Sequence, residues 1–535
     1  MTLYEKLDNF FELTARGTTV FTEFKGAVAT FLTLSYILAV NPYILADSGG
    51  ACVMGDDEDA YNTCIEETRR QMVVATALTS MVGCLIMGLW ANLPIAISVG
   101  MGVNAYFAYD LVGFHGYGKM TYGAALTAVL IEGICFFVLS ITGARGWLIK
   151  TFIPDPIKDA LPAAIGAFLT HLGLQTLGVV VGDIATAVTL GGCTNENRVK
   201  FALFDDFCQA NTQDCILGDT YACVTGEMEN PTLWLGLAGT ILMVVLLAYN
   251  VKSSFIIGIG IVTIISWFRG TAVSYFTNDD MGNANFEYFK KVVDLDGLDK
   301  VMVKYDFSEA KGSDYVVAVI TLLYVDFLGA SGTFLAVVRS MKMMDENGDF
   351  PRSRAAFSTD AIGTMFGSLF GMSPMTSYIE SAAGVEAGAR TGLTAVFIAF
   401  FFFLSIFFAP IFSSIPPWAT GGSLIIVGAL MCRSLEDIHW NNPVHAVVAF
   451  VTVIMMPLTY SIAYGLIAGI GIWLVIKAIA VLLNKIFGLE DPTIIKEEEQ
   501  KKTEKTQVVE QPQGSQEKVE ETAKNEIKDE SGVEA

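Results

Sequence analysis

The sequence predicts an all-α polytopic membrane protein with fourteen transmembrane segments, arranged as a 7+7 inverted repeat. Hydrophobic residues make up 53% of the 535-residue chain and charged residues only 16%, and the mean hydropathy is +0.51. Soluble domains do not have this balance. Apolar runs long enough to cross a bilayer occur in two series of seven. One run in each series is interrupted by Gly and Pro, which is typical of the binding sites of transporters.

The individual spans follow from run length. The first series lies at about 27–46, 71–90, 93–110, 122–143, 160–180, 232–250 and 253–268. The second series lies at about 315–338, 356–371, 374–389, 391–412, 420–432, 443–457 and 459–483. Because the run from Thr391 to Cys432 is too long for one helix, Pro416-Pro417 is predicted to divide it. Seven spans per half place the second half upside down relative to the first, as an inverted repeat requires.

Both chain ends are predicted to be cytoplasmic. Residues 1–26 are amphipathic and charged and show no cleavable signal peptide, so the first span itself would direct insertion. Lys and Arg residues concentrate in the loops that this orientation places inside the cell, as expected for cytoplasmic loops. These are Arg145, Lys150, Lys158, Lys252, Arg339, Lys342, Arg352, Arg354, Arg390, Arg433 and Lys485.

The C-terminal tail, 490–535, is rich in Lys, Glu, Gln and Thr and has almost no large apolar residues. Such a segment cannot bury a core and is predicted to be a disordered cytoplasmic tail. The net charge of −22 comes from this tail and the loops. It is weak evidence for a cationic partner, and we expect no nucleic-acid partner.

The cysteines agree with this topology. Six of the nine lie in two predicted outside loops and are candidates for disulfides: Cys52, Cys64, Cys193, Cys208, Cys215 and Cys223. The other three, Cys84, Cys135 and Cys432, lie in apolar spans and are interpreted as packing residues. With four histidines and no Cys-x-x-Cys motif, the sequence predicts no metal site and no cofactor.

Two uncharged stretches give the strongest functional signal. Leu93–Asn104 and Gly371–Glu380 each interrupt a hydrophobic segment with Gly or Pro and place a polar side chain just after the break. They hold matching positions in the two halves. Paired discontinuous spans of this kind form substrate sites near the bilayer midplane. We therefore expect Asn104 and Glu380 at a substrate site.

Carboxyl groups within the spans carry most of the predicted chemistry. Asp326 lies midway along the otherwise uncharged run 315–338, and Glu380 follows the second break. A charge at the bilayer centre costs at least ~2.5–3.5 kcal/mol, so such a residue faces a polar cavity or binds a proton. A carboxyl group in a poorly hydrated site can exchange a proton near neutral pH. Asp326 and Glu380 are therefore candidates for proton coupling, with a structural role as the alternative for each.

Glu132 is a more ambiguous intramembrane acid. It lies within Val129–Gly133, with no helix break nearby. A gating role and a structural role are equally supported. Glycines at Gly384 and Gly388, and at Gly329 and Gly332, are interpreted as sites of close helix packing.

The predicted site favours a flat, neutral, hydrogen-bonding solute. The Asn104 amide and the two acids can bond a heterocycle that carries several N–H and carbonyl groups. Half-helix N-termini, expected after Gly102 and Pro374, would add free backbone N–H donors. Two acids would repel a bare anion.

Four groups of residues resemble the motifs of one known family. They are Gly100–Tyr109, Leu323–Leu328, Ile379–Gly384 with Gly388–Ala395, and Pro416–Gly421. The chain resembles the AzgA-like purine permeases of the nucleobase-ascorbate transporter group, from about Thr22 to Leu483. Its cysteine-bearing segment, Asp47–Cys64, resembles the fungal and plant branch, which implies a eukaryotic plasma membrane.

The resemblance implies a UraA-like fold with breaks in spans 3 and 10. It implies a core domain of spans 1–4 and 8–11 (27–143 and 315–412) and a gate domain of spans 5–7 and 12–14 (160–268, with an outside loop at about 181–231, and 420–483). It places Asn104, Asp326 and Glu380 at purine-binding positions, with Thr376 and Tyr36 as weaker neighbours. Adenine, guanine or hypoxanthine would move with protons through an elevator-like movement, in a lipid-embedded homodimer paired through the gate domain.

Two positions depart from the family pattern. Val99 stands where the family usually has Pro at the first break, so the backbone there is less constrained. Gly329 stands where the family tends to have a second acid, one turn after Asp326. These departures leave the preferred purine and the proton coupling open.

The same residues leave alternatives to purine transport. Cytokinins or other heterocycles are alternative solutes, whereas Asp326 and Glu380 argue against an anion carrier of the same fold. A purine-sensing membrane receptor that does not transport is the alternative from another class. An enzyme is least supported, because the spans show no nucleophile–base pair and no metal-ligand spacing.

Overall fold

The structure is a computed structural model that describes residues 3–53, 58–143, 154–183, 187–194, 198–200, 221–223, 226–251, 253–294, 297–341, 343 and 350–489. In the first half, the helices are α1 (Leu3–Phe11), α2 (Val20–Leu34), α3 (Ile37–Ala46), α4 (Glu58–Ile86), α5 (Met101–Ala105), α6 (Tyr122–Thr142), α7 (Asp155–Thr176), α8 (Pro231–Ala248), α9 (Ser254–Ser266) and α10 (Asp280–Phe289). In the second half, they are α11 (Gly312–Ser340), α12 (Ser353–Leu369), α13 (Ser381–Glu386), α14 (Gly392–Phe407), α15 (Ala409–Ser413), α16 (Pro417–Met431), α17 (Pro443–Thr459) and α18 (Ile462–Phe487).

The described helices include many that suit a bilayer. Seven helical stretches are long and apolar enough to cross a membrane: Val20–Ala46, Ala60–Ala91, Tyr122–Thr142, Pro231–Ala248, Gly312–Phe334, Pro417–Asp437 and Ile462–Phe487. Three shorter apolar helices, α9, α14 and α17, accompany them. The chain is thus a polytopic helical membrane protein. Pro417 begins α16, and the predicted division of the run 391–432 is confirmed.

Short strands depart from the all-α prediction. Six strands form two-stranded antiparallel sheets within the described residues: β1 (Ile97–Val99) with β6 (Met375–Ser377), β2 (Val180–Asp183) with β3 (Ala187–Leu190), and β4 (Arg198–Lys200) with β5 (Tyr221–Cys223). The last two pairs lie in the long loop predicted at about 181–231. A loop there can form short sheets because it lies outside the apolar spans, where its backbone groups can also bond water.

The pairing of β1 with β6 joins the two predicted helix breaks. Ser98 pairs with Thr376, and the Gly100 N–H donates to the Pro374 carbonyl over 2.9 Å. In a bilayer, non-helical backbone must find partners within the protein, and each strand here satisfies the other. Helix α5 begins at Met101, close to its predicted start. The second prediction is wrong in detail, because β6 follows Pro374 and α13 begins only at Ser381.

Helices pack closely around this crossing. Helix α6 packs against α11 and α12, α4 against α3 and α14, and α7 against α16 and α17. A side chain at Gly384 would collide with Thr30 and Gly26, so its predicted packing role is confirmed. Gly388 is likewise close to Thr22. At Gly329 and Gly332 the prediction is wrong, since a Cβ at either position would meet nothing within 4 Å.

A disulfide between Cys52 and Cys64 marks one face of the molecule, which we call the disulfide face. Helices α2 and α3 lead to it, and α18 leads away from it, so residues 3 and 489 lie toward the opposite face. Cys193 is also disulfide-bonded. Among the predicted packing cysteines, Cys84 is buried and Cys432 half-buried, whereas Cys135 is exposed and does not fit that role. Cys208, Cys215 and the predicted tail 490–535 lie outside the described residues.

Candidate functional site

Tyr36 and Glu380 of the predicted site lie together and are joined by Phe255, which the sequence did not single out; Tyr36 and Phe255 are buried and Glu380 is half-buried. Tyr36 lies at the joint between α2 and α3, and Glu380 lies at the N-terminus of α13, three residues after the end of β6. The Tyr36 hydroxyl donates to Glu380 Oε1 over 3.0 Å. The Tyr36 ring stacks on Phe255 of α9, with centroids 5.3 Å apart and planes 30° apart. Glu380 is half-buried and next to Ile379, which is 58% exposed, so one side of the acid stays accessible.

Asn104 bonds other residues. It is fully buried on α5, where its Oδ1 accepts from Ser373 Oγ over 3.0 Å and its Nδ2 lies 3.4 Å from the Asn41 carbonyl. Asn41 in turn donates to the Val99 carbonyl, as does the Tyr378 hydroxyl. The Asn104 side chain therefore ties the two broken segments to α3. Its amide is already engaged in this conformation.

Thr376 and Asp326 lie along the strand crossing. Thr376 is half-buried on β6, opposite Ser98. Asp326 is 2% exposed on α11, and its Oδ2 lies 3.4 Å from the hydroxyl of Thr364 on α12. The same hydroxyl lies 3.0 Å from the Met375 carbonyl and 3.1 Å from the Met375 nitrogen. Asp326 is thus connected to β6, while Tyr36 and Glu380 form a separate pair.

Glu132 and Asp360 stand beside Asp326 in the interior. Both are fully buried, on α6 and α12, and the carboxyl groups of Asp326 and Asp360 act electrostatically on Glu132. The sequence reasoning placed Glu132 as a gating candidate and missed Asp360, which lies in the predicted span 356–371. The signal was the same one that identified Asp326, an acid within an apolar span.

One side of α11 becomes exposed toward the C-terminal end of the helix. Leu322 and Val325 on α11 are buried, whereas Gly329 and Gly332 are exposed. Since residues seven apart lie on nearly the same side of a helix, one side of α11 changes from packed to open along its length. The open part continues away from the disulfide face.

Contacts close the disulfide face. Ser461 Oγ, at the start of α18, donates to Asp110 Oδ2 over 2.7 Å. Lys119 Nζ lies 2.6 Å from Asp110 Oδ1 and 4.3 Å from the ring centroid of Tyr464. These contacts join the segment after α5 to α18.

Two further tyrosines and an acid complete this closure. The Tyr109 ring meets Tyr460 edge-on at 6.0 Å, and the Tyr109 hydroxyl donates to Asp47 Oδ2 over 2.7 Å. Asp47 follows the last residue of α3, and burial raises its pKa to about 7. The closure therefore includes an acid that titrates near neutral pH.

The described residues contain no group of three or more His, Cys, Asp or Glu side chains arranged to hold a metal ion. The candidate site instead contains carboxyl groups, a phenol hydroxyl and an aromatic ring. Together they can accept hydrogen bonds from a flat ring and stack on it.

Comparison with known proteins adds a family. Residues 22–199 and 217–468 match the profile Xan_ur_permease, described as "Permease family". The chain is 41% identical over 484 residues to "Efflux pump notK'" of Aspergillus versicolor, covering 86% of this chain and 81% of that protein. It is 38% identical over 483 residues to a putative xanthine/uracil permease of Schizosaccharomyces pombe, covering 88% and 74%. It is 32% identical over 474 residues to the guanine/hypoxanthine permease PbuO of Bacillus subtilis, covering 88% and 94%.

Among solved structures, the transmembrane domain of the cyanobacterial bicarbonate transporter BicA has a similar fold. The TM-score is 0.52, and the alignment covers 84% of this chain and 97% of that domain. Sequence identity is 14%, so the similarity concerns the fold alone.

Proposed function

The chain belongs to the Permease family, and from that premise we propose that it is a proton-coupled transporter of purine nucleobases. The family consists of transport proteins, so the chain is a transporter and not an enzyme. Relatives named as guanine/hypoxanthine and xanthine/uracil permeases support a nucleobase as the solute. Adenine, guanine and hypoxanthine are the proposed substrates.

The single observation that carries this proposal is the hydrogen-bonded pair of Tyr36 and Glu380 against Phe255. A carboxylate accepts N–H donors at the edge of a purine, and aromatic side chains contact its face. The Glu380 carboxylate would repel an anion of the same charge, which disfavours an anion carrier. Thr376, half-buried on β6, supplies a hydroxyl nearby, and Asn104 supports the backbone of both breaks.

The proposed mechanism is elevator-like alternating access. We propose fourteen spans in a 7+7 inverted repeat, with a core domain (27–143 and 315–412) moving against a gate domain (160–268 and 420–483). The contacts of Asp110 with Ser461 and of Tyr109 with Tyr460, and the open side of α11, support a conformation that is open only on the face opposite the disulfide. With both termini in the cytoplasm, this conformation is inward-facing.

Proton coupling is assigned to Asp326 and Glu380. Each is an intramembrane acid, and neither makes a salt bridge with a described residue. A proton bound with the purine would remove a charge that is costly to move through the bilayer. Glu132, buried beside Asp326, acts on the same step rather than as a separate gate. The protein would work in the plasma membrane, surrounded by lipid, as a homodimer paired through the gate domain.

Substrate range and direction are open within this proposal. Gly329 leaves space where the family tends to carry an acid, which favours a ring with an added substituent, such as a cytokinin, as a second solute. The relative named as an efflux pump makes direction an experimental question. A receptor that binds purine without moving it would show binding but no flux.

The test is uptake of radiolabelled adenine, guanine and hypoxanthine by cells that lack their own purine carriers, at two external pH values. We expect saturable uptake, stronger at acidic pH and lost in Glu380→Gln. Preloaded cells, placed in purine-free medium, report efflux in the same assay. A wild-type protein that reaches the cell surface but moves no purine in either direction would refute the proposal.

A further inference from the structure

Three carboxyl groups lie together in the interior without a counter-charge. Glu132 of α6, Asp326 of α11 and Asp360 of α12 are 0%, 2% and 0% exposed. None of them makes a salt bridge with any residue in the described ranges. Both oxygens of Glu132, both of Asp360 and Oδ1 of Asp326 lack a hydrogen bond of ordinary geometry. Three bare negative charges in this position would be strongly destabilising.

Glu23, a buried acid elsewhere in the described residues, is satisfied. Glu23, also 0% exposed, accepts from the backbone N–H groups of Arg390 and Thr391 and from the hydroxyl of Thr394 over 2.6–3.2 Å. Among the described residues, the buried carboxyl oxygens that lack a partner belong to this cluster. An orphan acceptor that becomes a donor when protonated can bond its neighbour, so protons would satisfy the cluster from within.

We propose that Glu132, Asp326 and Asp360 form a buried proton-binding cluster of this transporter, distinct from the Tyr36–Glu380 pair that contacts the purine. This inference rests on the proposed function. It adds Glu132 and Asp360 to the acids that bind the coupled proton.

Thr364 connects this cluster to the purine site. Its hydroxyl has one hydrogen and lies near two acceptors, Asp326 Oδ2 at 3.4 Å and the Met375 carbonyl at 3.0 Å. When Asp326 is ionised, the hydroxyl donates to it; when Asp326 carries a proton, the hydroxyl is free to donate to Met375. Because β6 runs from Met375 through Thr376 toward Glu380, protonation changes the hydrogen bonding of the strand that leads to the ligand.

The neighbouring elements contribute few other titratable groups to the cluster. Helix α6 contributes Glu132 and the thiol of Cys135, α11 contributes Asp326, and α12 contributes Asp360. Strand β6, between them and the purine site, contributes the hydroxyl groups of Thr376 and Ser377. Glu380 begins the next helix, where Tyr36 holds it.

The test uses the purified full-length protein and the neutral variants Asp360→Asn and Glu132→Gln, with Glu23→Gln as the matched control. In proteoliposomes, we expect both cluster variants to exchange internal for external adenine while the ratio of net uptake at acidic to neutral pH falls to about one. Glu23→Gln keeps the wild-type ratio. Unchanged acid stimulation and unchanged proton uptake per adenine in both cluster variants would overturn the proposal.

A second readout does not require transport. Infrared spectra of the wild-type protein at neutral pH should contain a protonated-carboxyl band that shrinks in Asp360→Asn and Glu132→Gln but not in Glu23→Gln. A band of the same intensity in all variants would overturn the proposal that these acids bind the proton, even if the protein carries purines. Absence of all purine exchange, with the band assigned to the cluster, would instead refute the proposed function alone.

Discussion

The side chain of Tyr36 links two parts of the candidate site, because its hydroxyl bonds Glu380 while its ring stacks on Phe255. A hydrogen bond to a charged group contributes ~1.5–3 kcal/mol. Tyr36→Phe removes this bond and keeps the stacking. We expect the KM for adenine to rise about tenfold, which corresponds to ~1.4 kcal/mol, with a smaller effect on the maximal rate. Initial-rate uptake measurements at a series of adenine concentrations check this.

Tyr305→Phe is the matched control for that experiment. The Tyr305 hydroxyl bonds Ser368, away from the Tyr36–Glu380 pair. We expect its KM to equal that of the wild type. Equal KM values for Tyr36→Phe and the wild type would show that the hydroxyl does not orient Glu380 for binding.

Asp47 gives a pH prediction on the disulfide face. Burial raises its pKa to about 7, compared with ~3.9 in an unfolded chain. The folded protein therefore holds this proton more tightly than the unfolded chain does. The resulting stabilisation is complete below about pH 4 and is lost as the pH rises through 7. We expect Asp47→Asn to flatten the fall in Tm of the detergent-solubilised protein between pH 5 and pH 8.

Asp306→Asn provides the comparison for Asp47. Hydrogen bonds from Ser308 lower the pKa of the exposed Asp306, so this side chain stays ionised throughout that pH range. The control should reproduce the wild-type slope of Tm against pH. A slope for Asp47→Asn that also matches the wild type would contradict the assignment.

For single residues, the sequence identified the functional candidates but not the residues that they contact. An acid in an apolar span is recognisable without a structure, and this rule found Asp326 and Glu132 and applies equally to Asp360. Their proximity depends on how α6, α11 and α12 pack, which no periodicity in a single chain specifies. Asn104 shows the same difference, because its position after a break was visible but its bonds to Ser373 and Asn41 were not.

Among the helices, some glycines allow close packing and others face open space. A Cβ at Gly384 on α13 would collide with Thr30 and Gly26 of α2, whereas one at Gly332 on α11 would meet open space. Overpacking typically costs about 1–3 kcal/mol, and Ala in place of an exposed helical Gly gains roughly 0.5–1 kcal/mol. We expect Gly384→Ala to lower Tm and Gly332→Ala to leave it unchanged or raise it. Thermal unfolding of the two variants in detergent, measured side by side, checks this.

The opposite ranking of those two variants would show that α13 and α2 do not cross as closely as the structure has them. The sequence predicted close packing at both positions, because small residues at helical spacing look the same whether they face a helix or a cavity. It also predicted the two breaks, since Gly and Pro disrupt helices wherever they occur. The pairing of Ser98 with Thr376 is a contact across the whole chain, and only the fold brings it about.

For the whole molecule, the closed disulfide face and the open side of α11 are two consequences of one conformation. The sequence indicated membrane spans and their alternation, but which side of α11 opens depends on the arrangement of the helices around it. If the proposed orientation is correct, a thiol at Gly329 is reachable from the cytoplasm and shielded from the outside. Gly329→Cys, in a Cys135→Ser and Cys432→Ser background, should therefore react with a membrane-impermeant maleimide in inside-out vesicles and not in intact cells.

The contacts of the disulfide face provide the control for that labelling. Lys119→Gln with Ser461→Ala removes two of the polar contacts between α18 and the segment after α5, while leaving Gly329 and its surroundings unchanged. Because each contact stabilises only the closed conformation, their loss shifts the population toward the one that opens outward. We expect slower labelling of Gly329→Cys in inside-out vesicles and new labelling in intact cells. Equal labelling rates with and without the two substitutions would mean that these contacts do not set the balance between the two conformations. Labelling of Gly329→Cys in intact cells without those substitutions would reverse the proposed orientation.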